Sequence, residues 1–148
     1  MKFRIDKYSD RYRLQMLEVW EASVRATHHF LDPDDIDFYK SIVSKIDFNQ
    51  FTVYLSLTDK DEVLGFLGVA EKKLEMVFLK PECIGKGIGR ALTTLAIEDL
   101  HVTEVDVNEG NVNAVIFYES FGFEVYDRTP LDDKGKPYPI LKMRLKMA

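Results

Sequence analysis

A chain of 148 residues with 46% hydrophobic and 30% charged side chains has the size of one domain and can bury a core without disulfide or metal staples, which excludes global disorder. The 25 acidic and 20 basic residues leave a net charge of −5, which argues against a broad phosphate-binding face and hence against nucleic acid as a partner. Cys83 is the only cysteine, so neither an intrachain disulfide nor a cysteine-based zinc cage can form.

No apolar run approaches the ~20 residues of a membrane span, and Met1 to Asp6 carry no apolar signal-peptide core. The expected setting is therefore cytoplasmic, without a membrane partner. Residues 1–148 read as one domain, since no linker or repeat divides them.

Phe3-Arg4-Ile5 alternates as a short strand. Leu14, Leu17, Trp20 and Val24 recur at helical spacing, which predicts an amphipathic helix over Asp10 to Ala26. Asp32-Pro33 punctuates the chain, and Ile36, Tyr39, Ile42 and Ile46 form a second helical stripe. The period then changes. Phe51 to Leu57 and Val63 to Val69 read as two strands of a hairpin, and Leu74 to Leu79 as a third strand ended by Lys80-Pro81. A glycine loop, Gly85-Lys86-Gly87-Ile88-Gly89, leads into a helix marked by Ala91, Leu92, Leu95 and Ala96. Val102 to Val107 is a strand and Asn113 to Ser120 a short helix, with Phe123 to Tyr126 and Ile140 to Leu145 as closing strands. Hairpins in the first half and one strand–helix–strand crossover predict a mixed α+β fold, not a doubly wound sheet.

Glycines at every second position of a strand-to-helix loop permit positive φ and close approach of the backbone to a ligand. The helix behind the loop adds unpaired N–H groups and the positive end of its dipole, which together suit a phosphate or pyrophosphate. Lys86 and Arg90 could add charge. The nucleotide P-loop pattern is absent, and the dinucleotide fingerprint fails because Ile88 or Arg90 stands where its third glycine belongs. A glycine turn serving packing alone is the plain alternative.

The segment from Leu74 to Leu92 and the segment from Val107 to Phe123, which carries N-x-x-A-x-x-x-Y-x-x-x-G-F as Asn111, Ala114, Tyr118, Gly122 and Phe123, together resemble the GNAT superfamily of acetyl-CoA-dependent N-acetyltransferases. Ile84 departs from the family pattern, which has Arg or Gln there. Trp20 to Leu31 and Asp132 to Pro139 resemble bacterial protein N-acetyltransferases of that superfamily with a W-x-x-S-x-x-x-T-H-x-F-L segment. The resemblance implies a mostly antiparallel twisted sheet, splayed at the cofactor site and flanked by helices. It also implies acetyl-CoA as acyl donor, an amine acceptor that is a small molecule or a protein amine, no metal, and room for a homodimer.

The same resemblance implies roles for individual residues. Met76, Val77, Phe78 and Leu79 would offer their backbone to the pantetheine arm. Ile84, Gly85, Lys86, Gly87, Ile88, Gly89 and Arg90 would cradle the pyrophosphate, and Asn111 would hydrogen-bond the cofactor or simply cap its helix. Glu75 is the implied general base, with a surface strand carboxylate as the plain alternative. Tyr118 is the implied general acid, since an unperturbed phenol is protonated at neutral pH. Thr27, His28 and Phe30 would wall the acceptor pocket, and the stretch from Asp132 to Pro139 either borders that pocket or forms an ordinary hairpin turn. Alternation places Leu74, Met76 and Phe78 on one face and Glu75, Val77 and Leu79 on the other unless a bulge intervenes. A non-catalytic acyl-CoA-binding module would keep the glycine loop without needing Glu75 or Tyr118, and a Rossmann-type nucleotide binder is disfavoured by Arg90 and the hairpin-rich order.

Overall fold

The computed structural model describes residues 2–146. The first strand, β1, covers Arg4–Lys7. A single 3-10 turn at Asp10–Tyr12 leads into α1, Arg13–Thr27, so the expected first helix begins one turn late. Helix α2 is Pro33–Val43, with Pro33 in its first turn. The proline that punctuates the sequence thus opens the helix: its fixed φ suits the first turn and its missing N–H has no partner to lose there.

Strands β2 (Thr52–Leu57), β3 (Val63–Ala70) and β4 (Lys73–Leu79) form an antiparallel meander. Helix α3 (Ile88–Glu98) carries the chain over to β5 (Glu104–Asn108). Helix α4 (Val112–Glu119) precedes the hairpin of β6 (Phe123–Thr129) and β7 (Ile140–Leu145). The seven strands lie in the order β1-β2-β3-β4-β5-β7-β6, and the pairing of β4 with β5 is the only parallel one among the described residues. The mixed α+β expectation holds.

Two details of register shape the centre of the sheet. Gly68 lies opposite Met76 and Val69 opposite Leu74, which leaves Glu75 as the extra residue of a β-bulge. Leu74 is therefore turned onto the face of Val77 and Leu79, where all three pack into the cluster that includes Leu92, Val105 and Met143. Met76 and Phe78 pack on the opposite face against the cluster of Met16, Trp20 and Phe66. Strict alternation, which joins Leu74 to Met76 and Phe78, fails at this one residue. The second detail is that β4 and β5 pair only at Lys73–Glu104 and Leu74–Val105. Beyond Leu74 the two strands part.

The sheet thus separates two cores, one under α3 and α4 and one under α1 and α2. Gly65 and Gly68 on β3 let β4 lie close. A Cβ on Gly65 would sit 2.4 Å from the Leu79 side chain and 2.9 Å from the Phe78 carbonyl, whereas one on Gly68 would meet only the flexible end of Met76 at 2.6 Å. Overpacking against backbone cannot be relieved by a rotamer change. Gly65→Ala is expected to cost roughly 1–3 kcal/mol of unfolding free energy and Gly68→Ala distinctly less; denaturant unfolding of the two variants side by side measures the order.

Candidate active site

The opening between β4 and β5 is where the predicted cofactor residues gather. Met76, Val77, Phe78 and Leu79 keep β3 on one side but have no β5 partner on the other, so one edge of β4 presents free backbone groups, the arrangement that strand-like ligands use. At its end the chain makes a 3-10 turn at Pro81–Cys83 and enters the glycine loop. Gly85 and Gly87 have φ of +80° and +90°, and Gly87 is the left-handed N-cap of α3. Among the described residues no backbone carbonyl takes the N–H groups of Lys86, Gly87, Ile88, Gly89 and Arg90. Consecutive bare amides at a helix start form an anion-binding nest.

The side chains of the loop divide. Ile88 is buried in the core, so only its amide is available to a ligand. Gly89 lies against Leu79 and Phe117, where a Cβ would be 3.4 and 3.7 Å from those side chains, and so seats α3 close to β4 and α4. Ile84 is 50% exposed and Lys86 exposed. Arg90 does not reach back over the loop; its guanidinium stacks 4.7 Å above the Phe121 ring and lies 3.4 Å from Ser120 Oγ.

Glu75 stands at the bulge and lines a cavity of about 390 Å³ with Lys73, Asp106, Asp132, Asp133 and Lys142. Lys73 Nζ binds Asp106 Oδ2 at 2.6 Å, across β4 and β5 where they still pair. The Glu75 residue is exposed, but its carboxyl faces this cavity and is held above the ordinary glutamate range. Partial removal from water is the main cause; Lys73 opposes it and the like charges of Asp106 and Asp133 add to it. Asp106, Lys73 and Lys142 carry no motif and are missed by sequence reading; only the register of β4, β5 and β7 brings them to Glu75.

The stretch from Asp132 to Pro139 is no ordinary hairpin turn. It crosses from β6 to α2 and roofs the cavity. The Tyr39 hydroxyl donates to Asp132, and the Tyr138 hydroxyl donates to Asp35 and accepts from the Asp32 N–H at 3.2 Å. Lys136 Nζ pairs with Asp35 Oδ1 at 2.8 Å and sits 4.5 Å above the Phe38 ring. Asp132 Oδ1 accepts from the Lys134 and Lys136 amides at 2.9 Å, which folds the strap on itself.

Phe30 meets Tyr138 edge-on at 6.1 Å. It also covers Gly110, where a Cβ would be 2.6 Å from the ring. With Thr27, Asn111 and His29 it lines a second cavity of about 210 Å³. His29, not His28, faces this space. His28 lies inward, its ring 5.3 Å from Phe30 and 6.5 Å from Phe78, with Nδ1 2.7 Å from Thr27 Oγ1. Burial pushes its pKa down to about 4, with His29 a smaller cause.

Asn111 caps α4, its Oδ1 accepting from the Ala114 amide at 3.2 Å, which leaves the side-chain NH2 for any ligand. Asn108, at the end of β5, takes the Asn111 amide on its carbonyl. The Tyr118 ring is buried between Phe117 and Phe123, and burial raises its phenol above the ordinary range. Its hydroxyl has no hydrogen-bond partner among the described residues, yet it is not one of the sealed, unpartnered oxygens, which are those of Ser56 and Thr93. The described residues hold no cluster of three or more His, Cys, Asp or Glu side chains able to take a metal ion. No helix among them is long and apolar enough to cross a membrane.

Residues 21–146 match the model of the acetyltransferase (GNAT) domain. The chain belongs to the GNAT family. It is 35% identical over 129 residues to the peptidyl-lysine N-acetyltransferase YjaB of Salmonella typhimurium, covering 87% of this chain and 88% of that protein. Identity to the Escherichia coli protein of the same name is 31%, covering 87% of each. The solution structure of apo-form YjaB from E. coli superposes with a TM-score of 0.90 at 29% identity over the full length of both chains. The PaiA N-acetyltransferase of Thermoplasma acidophilum in complex with coenzyme A shares the fold, with a TM-score of 0.74 at 22% identity over 97% of this chain and 99% of that one. As a GNAT member, the chain is an N-acetyltransferase, moving an acetyl group from acetyl-CoA to a primary amine.

The position of His28 has a consequence for stability. Its pKa is near 4 folded against 6.5 unfolded, so between those values the unfolded chain binds more protons. Stability is full above the unfolded value and falls as pH drops toward the folded one. Roughly 3 kcal/mol should be lost over that window. Urea unfolding at a series of pH values is expected to show this loss, and His28→Gln to flatten it.

Proposed function

We propose that the acceptor is the side-chain amine of lysine in a peptide or protein, and that it attacks acetyl-CoA directly in a ternary complex. The observation that carries this reading is the acidic cavity with Glu75 at the bulge, beside the free edge of β4. A lysine side chain is long, narrow and cationic, and Glu75, Asp106, Asp132 and Asp133 outnumber Lys73 and Lys142 around that space. The names of the 35% and 31% identical relatives support the same acceptor.

An alkyl ammonium with a pKa near ~10.4 is almost wholly protonated at neutral pH and must lose a proton before it can attack. Glu75, held above the ordinary glutamate range, is the better base for it. The neutral amine then adds to the thioester carbonyl, and the oxyanion takes a hydrogen bond from a backbone N–H on the free edge of β4. As the C–S bond breaks, the Tyr118 phenol donates to the leaving sulfur, and the second proton, which the nitrogen sheds on becoming an amide, restores the phenol; burial keeps it in the protonated, donor form. The diphosphate rests on the amide nest from Lys86 to Arg90, and the Asn111 side-chain NH2 serves the arm of the donor. A cytoplasmic enzyme fits the single buried thiol of Cys83. The net charge supports a catalyst without nucleic-acid or membrane partners. The outermost strand β6, with Val125 and Tyr126 exposed, supports a homodimer.

Mass spectrometry after incubation with acetyl-CoA decides the acceptor. Acetylation of a lysine peptide, in preference to a peptide N-terminus or a polyamine, is the expected result; preference for either of the others overturns the lysine assignment. Glu75→Gln is expected to lower kcat/KM for the amine by about 10²-fold and to abolish the acid limb of the pH profile. Tyr118→Phe should lower kcat by at least about tenfold with acetyl-CoA affinity, read by calorimetry, little changed.

A further inference from the structure

The end of α1 holds a short relay whose protons can be assigned. Thr27 Oγ1 lies 2.7 Å from the Ser23 carbonyl oxygen and 2.7 Å from His28 Nδ1. A carbonyl brings no hydrogen, so two oxygens at that distance need one from the threonine hydroxyl. A threonine hydroxyl has a single hydrogen. Its second contact must therefore be accepted, and the proton between Thr27 and His28 belongs to Nδ1.

A neutral imidazole carries one N–H. With Nδ1 protonated, Nε2 is left with a bare lone pair. The ring is fixed on two further sides by Phe30 and Phe78, and Phe78 belongs to the part of β4 that has left β5. Nε2 has no hydrogen-bond partner among the described residues, yet it is not one of the polar atoms sealed from solvent. An accessible acceptor in an aromatic setting, held by its other nitrogen, is built to receive an N–H.

We infer that Thr27 is a positioning residue that fixes His28 as its Nδ1–H tautomer, so that the Nε2 lone pair accepts a hydrogen bond from the N–H of the incoming amine beside β4. Thr27 thus acts through His28 and not as an acceptor contact of its own, because its proton is committed to Ser23. The inference rests on the proposed transfer to an amine at the free edge of β4, to which His28 is joined through Phe78. No proton is transferred in this contact; it orients the amine while Glu75 removes the proton. The neighbouring His29 faces the second cavity and has no part in it.

The test combines spectroscopy with kinetics on the full chain. Long-range proton–nitrogen correlation spectra with labelled histidine, at neutral pH and without substrate, should show His28 with a protonated Nδ1 and a bare Nε2. Thr27→Val removes the hydroxyl at constant shape and should yield a mixed or Nε2–H tautomer. The same variant should lower kcat/KM for a lysine-peptide amine by roughly tenfold, mainly through KM, with KM for acetyl-CoA unchanged. Thr27→Ser, which keeps the hydroxyl, should recover most of that loss. An Nε2–H tautomer in the wild type overturns the inference whether or not the valine variant folds. So does a changed tautomer with unchanged amine kinetics. If the wild type acetylates no lysine peptide, the lysine reading fails, while the wild-type spectrum still decides the tautomer and the variants are compared on whichever amine is turned over.

Discussion

The constraint on which the site depends is the position of β4, which must serve an antiparallel neighbour and a parallel one at once. A bulge adds local twist and bends the strand that carries it. Here it falls at Glu75, directly after the two residues, Lys73 and Leu74, that pair with β5. The ladder to β5 ends where the bulge begins. One extra residue thus accompanies the parting of the two strands, the bare edge of β4, and the placing of the Glu75 carboxylate in the cavity with Lys73 and Asp106. The Lys73–Asp106 ion pair sits at the apex of the gap, where the two strands are still held together.

Around that gap the molecule separates two kinds of electrostatics. At the glycine loop the positive groups are the bare amides of the loop and the first turn of α3, with the exposed Lys86 among them. The nearby arginine, Arg90, is occupied with Phe121 and Ser120, and Ile84 brings no charge. In the Glu75 cavity carboxylates outnumber Lys73 and Lys142, and some are already engaged: Asp132 holds the strap amides and Tyr39, and Asp106 holds Lys73. Among the described residues the Glu75 carboxylate has no such partner, which leaves it free for the role proposed for it.

The sequence was legible where one local rule acts alone. Runs of β-formers bounded by polar turns located β2, β3 and β4, and the glycine spacing located the loop, because positive φ at Gly85 and Gly87 has few other solutions. The family motifs marked Tyr118 and Asn111, and the capping chemistry of Asn111 was readable as an asparagine habit. Alternation failed at Leu74, since a bulge is a property of two strands in register and leaves no mark on one. Asp32-Pro33 was readable as punctuation ahead of the second helical stripe, and α2 begins there. The docking of the strap joins Tyr39 to Asp132 and Asp35 to Tyr138, pairs far apart in the chain whose meeting depends on how the hairpin of β6 and β7 crosses the sheet. Thr27 and His28 stand out in the sequence as neighbours, but the direction of the hydrogen between them depends on the carbonyl of Ser23, one helical turn away.

The brevity of the β4–β5 pairing also bears on the mechanics of the whole molecule. The sheet is two antiparallel plates, β1 to β4 and β5 to β7, stitched by two residue pairs, by the crossover helix and by the strap. Each plate has its own longer ladder, and the stitch is the line along which the strand pairing is shortest. A pantetheine arm lying along the free edge of β4 would run beside that line, supplying in part the strand-like bonds that the divergence leaves out. A donor seated there would join the two plates through its own strand-like bonds, and its departure as free CoA would remove that join.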